Sequence, residues 1–192
     1  DKMNIQGFFT TDLLNIYDIY GNLKSTEKIH LTRQGISNND FSHTHKYKGL
    51  CEKETQIDEG DLCITESNDK FLVTSMRKIQ FLNTNQVNLW KCDYECKISR
   101  LQDKYVGNIR AGKEEVVIKD NIPCVQKDVN GKMQIYDAGL LEGTIKIIYV
   151  QYVEGIELTD RLTINNKTYQ INSLDTSMKN ILCIQLTEDK RK

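Results

Sequence analysis

One short pattern occurs twice in this sequence, and it constrains the fold more than any other feature. The first copy consists of residues 61–64 (Asp-Leu-Cys-Ile) followed by residues 70–75 (Lys-Phe-Leu-Val-Thr-Ser). The second consists of residues 160–164 (Asp-Arg-Leu-Thr-Ile) followed by residues 167–173 (Lys-Thr-Tyr-Gln-Ile-Asn-Ser). Each copy predicts a strand, a polar turn and a second strand that places an aromatic and a β-branched residue on one face. We therefore expect two related small β modules.

The composition indicates a folded protein and excludes some classes of partner. Hydrophobic residues make up 39% of the 192 residues and charged residues 28%, which is enough apolar material for a packed core. The formal net charge is −1, so no overall positive field attracts nucleic acid or anionic membranes. The apolar stretch from Ile145 to Val153 is far shorter than the roughly 20 residues of a membrane-spanning helix. We expect no membrane partner, no specific nucleic-acid partner and no signal peptide at the N-terminus.

Short runs rich in β-prone residues predict about nine to twelve strands and no long helix. The fold class is predicted to be mostly β, with two small β-barrel or sandwich-like modules, long loops and an internal duplication. Residues 97–113 are rich in charge and contain two glycines, which favours a domain boundary. We therefore predict an N-terminal β module at 1–100 and a C-terminal β module at 101–192. Further predictions are one strand across 87–98 and a type I′ hairpin at Asn130-Gly131.

The six cysteines and three histidines form no common catalytic or metal-binding pattern. A site can be imagined from His43, His45 and Cys51, but the spacing matches no common zinc motif. We interpret Cys63, Cys92, Cys124 and Cys183 as small buried hydrophobic residues rather than disulfide partners. No glycine-rich phosphate loop or carboxylate pair stands out. We therefore expect no catalytic residue, no cofactor, no metal and no enzyme activity.

Residues 147–171 carry a resemblance to a known family. They resemble the C-terminal part of phage head-tail joining proteins, the head-closure or stopper family. In that family an extended segment leads to a turn of the Gly-Asp-Arg-Ile type, a short hairpin and a strand ending in Tyr-x-Val. Here Thr159 occupies the usual glycine position before Asp160, whereas the first copy keeps the glycine in Gly60-Asp61. The resemblance covers roughly the last fifty residues well and the first module only loosely.

The resemblance implies a structural protein of a tailed phage or of a phage-tail-like particle such as a bacteriocin. Such a protein forms a homo-oligomeric ring at the neck or collar, where it joins or caps the tail. Its implied partners are further copies of itself and the portal, tail terminator, tube or sheath proteins. It would be found in the virion or tail-like particle, assembled in the bacterial cytoplasm.

A long polar segment, residues 37–49, is predicted to be an exposed loop and is our candidate for contacts in such a ring. The assembly contacts expected there are Asn39, Phe41, His43, His45 and Tyr47. Two alternatives remain open at this point. One is a tandem β-domain adaptor unrelated to phage, with two modules joined by a flexible linker at 97–113. The other is a thiol- or metal-dependent enzyme that uses Cys51, His43 and His45.

Overall fold

A computed structural model describes residues 11–34, 45–79, 84–130, 133 and 139–191 of the chain. The described residues form twelve β-strands, which divide between two compact units. The division falls between Lys91 and Cys92. The mostly-β fold class is confirmed, and each unit contains one antiparallel sheet closed into a barrel.

The first barrel contains strands β1 to β6. Their bounds are β1 Asp12–Tyr17, β2 Leu23–Arg33, β3 Lys46–Glu52, β4 Leu62–Thr65, β5 Lys70–Ile79 and β6 Thr84–Lys91. The strand order around the barrel is β1-β2-β3-β6-β5-β4, and β4 pairs with β1 to close it. Closure pairs both sides of every strand, which removes the exposed edges of an open sheet.

The second barrel contains strands β7 to β12. Their bounds are β7 Tyr94–Val106, β8 Ile109–Asp128, β9 Lys146–Gln151, β10 Arg161–Ile164, β11 Lys167–Asp175 and β12 Ile181–Glu188. The order around the barrel is β7-β8-β9-β12-β11-β10, and β10 pairs with β7 to close it. This is the order of the first barrel, strand for strand, so the chain contains the same topology twice.

The repeated sequence pattern occupies equivalent strands in the two barrels. The first copy forms β4 and β5, and the second forms β10 and β11. The register agrees in detail, because Phe71 lies opposite Cys63 and Tyr169 lies opposite Leu162. Both barrels also carry a bulge at the same place, between Val73 and Ser75 in β5 and between Ile171 and Ser173 in β11. The pattern therefore marks a structural duplication.

Each barrel has its own hydrophobic core, and the two cores distribute volume differently. Gly49 on β3 pairs with Val87 on β6, whereas the corresponding position on β9 is Ile148, which pairs with Ile184. A Cβ on Gly49 would lie 2.7 Å from Val87 Cγ2 and 2.8 Å from Ile29 Cγ2. On β8 the residue that corresponds to Ile29 is the smaller Cys124, which leaves room for Ile148. The same layer of the core is therefore filled by Ile29 of β2 in the first barrel and by Ile148 of β9 in the second.

Several sequence-based boundaries were wrong. Residues 87–98 are two strands, because β6 ends at Lys91 and β7 begins at Tyr94 in the other unit. Residues 97–113 are part of the hairpin of β7 and β8, so the module boundary lies at Lys91/Cys92 rather than at 100/101. Charged residues occur there because this hairpin is exposed to solvent on both faces.

One predicted turn and one predicted loop fall partly outside the described residues. Gly131 is outside the described part of the chain, so the hairpin at Asn130-Gly131 stays a prediction. Among the described residues, β8 ends at Asp128 and pairs with β9, which begins at Lys146, and the Asn130 side chain accepts a hydrogen bond from the Met133 N–H (3.0 Å). Of the predicted loop 37–49, residues 46–49 belong to β3, and residues 37–44 lie outside the described part.

We predict that Gly49→Ala lowers the free energy of unfolding of the first barrel by about 1–3 kcal/mol, the usual cost of overpacking a close-packed core. The only tryptophan of the chain, Trp90, lies on β6, so its fluorescence during urea denaturation reports on this barrel. Lys48→Ala on the same strand is the control, because Lys48 is exposed and should change stability by less than about 0.5 kcal/mol. An unchanged Trp90 midpoint in Gly49→Ala would contradict this packing argument.

Candidate assembly surface

The hairpin of β7 and β8 extends beyond the second barrel. β10 pairs with β7 only from Cys96 to Ser99, and β9 pairs with β8 only from Cys124 to Asp128. Within the described part of the chain, residues 100–106 pair only with residues 109–116, and Val117 pairs with Ser99 at the edge of the barrel. We call residues 100–117 the arm. With a rise of about 3.3 Å per residue, the arm projects roughly 20 Å.

A two-residue turn at Gly107-Asn108 forms the end of the arm. Val106 and Ile109 pair directly across it, and Gly107 has a φ of +61°. A positive φ at the first central residue alone is the pattern of a type II′ turn, which favours glycine there. The sequence therefore specifies a tight hairpin at this end.

Three exposed apolar side chains flank that turn, two on one face of the ribbon and Tyr105 on the other. Tyr105, Val106 and Ile109 are 60%, 66% and 75% exposed. Val106 and Ile109 share one face of the ribbon because directly paired residues lie on the same face. We call these three residues the arm tip. Single exposed apolar residues are common on protein surfaces, but three together on a projecting element indicate a contact surface.

Four of the seven charged side chains of the arm form two ion pairs with one another. Arg110 Nη2 lies 2.7 Å from Asp103 Oδ1, and Lys104 Nζ lies 3.9 Å from Glu114 Oε2. These exposed pairs contribute less than about 1 kcal/mol each to stability. The two ion pairs matter more for binding than for stability. Each pair is neutral as a whole, so that less net charge must be desolvated when an apolar partner contacts the arm tip.

The base of the arm is held to the barrel by Arg100. Its Nε donates to Asp160 Oδ1 (2.6 Å) and its Nη2 donates to Asp160 Oδ2 (3.0 Å). Nη2 also donates to the carbonyl of Gly155 (2.8 Å), and Nη1 lies 2.9 Å from Glu157 Oε1. The hydrogen bonds to Asp160 are the main reason that the pKa of Arg100 is raised above its usual value.

Asp160 is fully buried and organises the turn that precedes β10. Its Oδ2 accepts the N–H of Glu157 (2.7 Å), and its own N–H donates to the Glu157 carbonyl (3.0 Å). Its carbonyl accepts the N–H of Ile171 on β11 (3.4 Å). Arg191 near the C-terminus donates to the carbonyls of Thr159 (2.6 Å) and Asp160 (3.3 Å). One aspartate therefore joins the turn, β11 and the base of the arm.

Asp61 forms the same arrangement in the first barrel. It accepts the Asp58 N–H (2.8 Å), donates to the Asp58 carbonyl (3.2 Å) and accepts the Val73 N–H (3.0 Å). Its cation is different, because Lys24 Nζ from β2 lies 2.6 Å from Asp61 Oδ2. Burial raises the pKa of Asp61, and the hydrogen bonds from Lys24 and Asp58 offset this only in part.

Of the five sequence-predicted contact residues, only His45 and Tyr47 lie within the described part of the chain, and neither belongs to the arm. Asn39, Phe41 and His43 lie outside the described residues, so their role stays a prediction. His45 is half-buried just before β3. Tyr47 is on β3 and packs edge-on against Phe71 with ring centroids 5.0 Å apart, so its ring contributes to the core. The arm was missed because its charged composition resembles that of a linker, although Val106-Gly107-Asn108-Ile109 carries a hairpin signal.

Four of the six thiols belong to the hydrophobic cores, Cys51 and Cys63 in the first barrel and Cys96 and Cys124 in the second. Cys51, Cys63, Cys92, Cys96 and Cys124 are buried, Cys183 is half-buried, and none forms a disulfide. Burial raises the pKa of Cys51 to about 11, and its Sγ donates to the carbonyl of Asn85 (3.4 Å). A hydrogen bond with Cys96, together with burial, raises the pKa of Cys124. A raised pKa favours the protonated thiol at neutral pH, and a protonated thiol is a poor nucleophile.

The described residues bring together no group of three or more His, Cys, Asp or Glu side chains that could bind a metal ion. Two open recesses of about 350 Å³ occur, one beside Trp90 in the first barrel and one beside Asn121 in the second. Neither pairs a nucleophile with a histidine base among its lining residues. In the same described residues, no helix has both the length and the apolar character needed to cross a membrane.

Comparison of the chain with models of known protein families and with curated protein sequences finds no match. The resemblance to head-closure proteins therefore continues to depend on residues 147–171 alone. In the structure these residues run from β9 through the Asp160 turn into β10 and β11.

We predict that Asp160→Ala destabilises the second barrel by about 1–3 kcal/mol, because it leaves the Glu157 N–H and two N–H donors of Arg100 without their acceptor. Asp160→Asn keeps an acceptor oxygen and should cost less. Thermal unfolding followed by far-UV circular dichroism measures the change. Glu157→Ala is the control, because Glu157 is 58% exposed and also contacts Arg100, and it should cost less than about 1 kcal/mol. Equal losses in Asp160→Ala and Glu157→Ala would contradict the central role of the buried carboxylate.

Proposed function

We propose that this protein is a non-enzymatic structural component of a phage or phage-tail-like particle, where it forms a homo-oligomeric ring at the neck or collar. The arm with its exposed apolar tip is the observation that carries this proposal. A two-stranded ribbon outside a sheet is only marginally stable by itself in water. An arm that extends from a closed barrel and ends in Tyr105, Val106 and Ile109 is suited to contact a neighbouring subunit.

A ring suits this arrangement because a closed ring requires two different patches on each subunit. The arm tip supplies one patch, and the surface that receives it on the next subunit supplies the other. Projecting elements of this kind bury apolar side chains against a neighbour without disturbing the barrels. The resemblance of residues 147–171 to head-closure proteins supports the particle context, and portal, tail terminator, tube or sheath proteins are the proposed further partners.

We predict that the full chain forms oligomers in multi-angle light scattering and rings in negative-stain electron microscopy. The double variant Val106→Ser/Ile109→Ser should weaken self-association at least tenfold, because burying a single Val or Ile side chain contributes about 1.5–3 kcal/mol. Leu158→Ser is the matched control, since Leu158 is 53% exposed but lies outside the arm, and it should assemble normally.

Two results would overturn this proposal. A chain that stays monomeric at all concentrations and enters no particle would contradict the ring. Normal assembly of the Val106→Ser/Ile109→Ser variant would show that the arm tip is not the contact.

The second candidate is a tandem β-domain adaptor unrelated to phage. Two separate hydrophobic cores, one in each barrel, favour it. From the sequence, the two domains of such an adaptor are expected to be joined by a flexible linker at 97–113. These residues instead form part of the β7–β8 hairpin. The two candidates differ in stoichiometry, because an adaptor would remain monomeric and bind a different protein at each barrel.

A further inference from the structure

We infer that Arg100 is a positioning residue that fixes the direction in which the arm leaves the second barrel. This inference rests on the proposed role of the arm in assembly. Arg100 is the first residue of β7 beyond the part that pairs with β10, so it lies at the junction between barrel and arm. A side chain that is held in place at this junction controls the angle between the arm and the second barrel.

The contacts of Arg100 form a clamp rather than a single ion pair. The planar guanidinium bridges both carboxylate oxygens of Asp160, the carbonyl of Gly155 and the carboxylate of Glu157. All of these groups belong to the segment that leads into β10, and Asp160 is fully buried. A bidentate arginine contact specifies orientation as well as distance, which a lysine could not do.

The first barrel supplies an internal comparison. There the residue that follows the last β1 residue paired with β4 is Asp18, the counterpart of Arg100. Asp18 begins a tight turn instead of an arm, because its Oδ1 accepts the N–H groups of Tyr20 (2.9 Å) and Asn22 (2.8 Å). The buried Asp61 then takes its cation from Lys24 on β2. In the second barrel, by contrast, the cation that pairs with the buried aspartate is Arg100, at the base of the arm.

The irregularities of the hairpin indicate which strand transmits this orientation. All three register shifts between β7 and β8 add residues to β8, near Ala111, Ile118 and Asn121. β7 continues from the barrel into the arm without an extra residue at the junction with Arg100. The bulges bend and twist β8 locally, whereas β7 provides the regular path from the clamp to the tip.

Amide hydrogen exchange by mass spectrometry on the full chain tests this inference. In Arg100→Gln, peptides from 101–117 should exchange about tenfold faster or more, because the arm opens when its base is released. Peptides from β9 and β12 should keep their protection. Arg110→Gln is the matched control, since Arg110 also lies on the arm but pairs with Asp103, another residue of the arm, rather than with the barrel.

Because Arg100→Gln leaves the Asp160 carboxylate buried without its cation, the double variant Arg100→Gln/Asp160→Asn is measured as well. Removing the charge should recover much of the barrel stability while the arm peptides remain fast. Arg100→Lys should give intermediate arm protection. If protection falls equally across the barrel and the arm in all of these variants, Arg100 is simply a stabilising residue and the inference is overturned.

Assembly measurements separate this inference from the proposed function. We expect Arg100→Gln to weaken self-association about tenfold although the arm tip is intact. If the tip variant weakens assembly but Arg100→Gln changes neither exchange nor assembly, the positioning role is wrong and the proposed function survives. If the tip variant assembles normally, the proposed arm contact is wrong, and the exchange result still decides whether Arg100 fixes the arm.

Discussion

A buried aspartate at the start of a short hairpin is the interaction on which each barrel depends. Asp61 and Asp160 each close the preceding turn through hydrogen bonds with main-chain groups, and their own carbonyls accept an N–H from β5 or β11, the second strand of the hairpin. A buried carboxylate is costly unless it is paired and hydrogen-bonded, so each position also requires a cation. The duplication therefore preserves more than a hydrophobic pattern. It preserves a polar junction that fixes how the β4–β5 or β10–β11 hairpin meets the rest of its barrel.

The two barrels show how much can change around this junction. One obtains its cation from Lys24 on β2, and the other from Arg100 at the base of the arm. Core volume has also moved between strands, since Gly49 occupies the position that Ile148 fills in the second barrel. The topology tolerates both changes because strand order and the β5 and β11 bulges are unchanged. The β1–β2 and β7–β8 connections differ as well, because the first barrel has a turn there and the second has the arm.

The sequence predicts the strands of the repeat well because each has one buried face and alternates accordingly. It predicts the arm poorly, because both faces of the ribbon are exposed and its charges follow no period of two. The boundary near Lys91 was missed for a related reason, since β6 and β7 are separated only by Cys92-Asp93 and their apolar residues form one apparent run. The burial of Asp61 and Asp160 also could not be predicted, because it depends on cations that are distant in sequence. The Gly107-Asn108 turn was the one local signal that could have revealed the arm.

The distribution of reactive and apolar groups bears on what the protein does. Cys51, Cys63, Cys96 and Cys124 belong to the barrel cores, where burial raises the pKa of Cys51 and a hydrogen bond with Cys96, together with burial, raises the pKa of Cys124. The apolar side chains at the arm tip are instead exposed, on an element that carries two internal ion pairs. A surface built in this way gains specificity from shape and from a fixed direction rather than from a long-range field. Rigidity at the base then matters as much as the tip itself, because a loosely held arm must lose conformational entropy each time it binds.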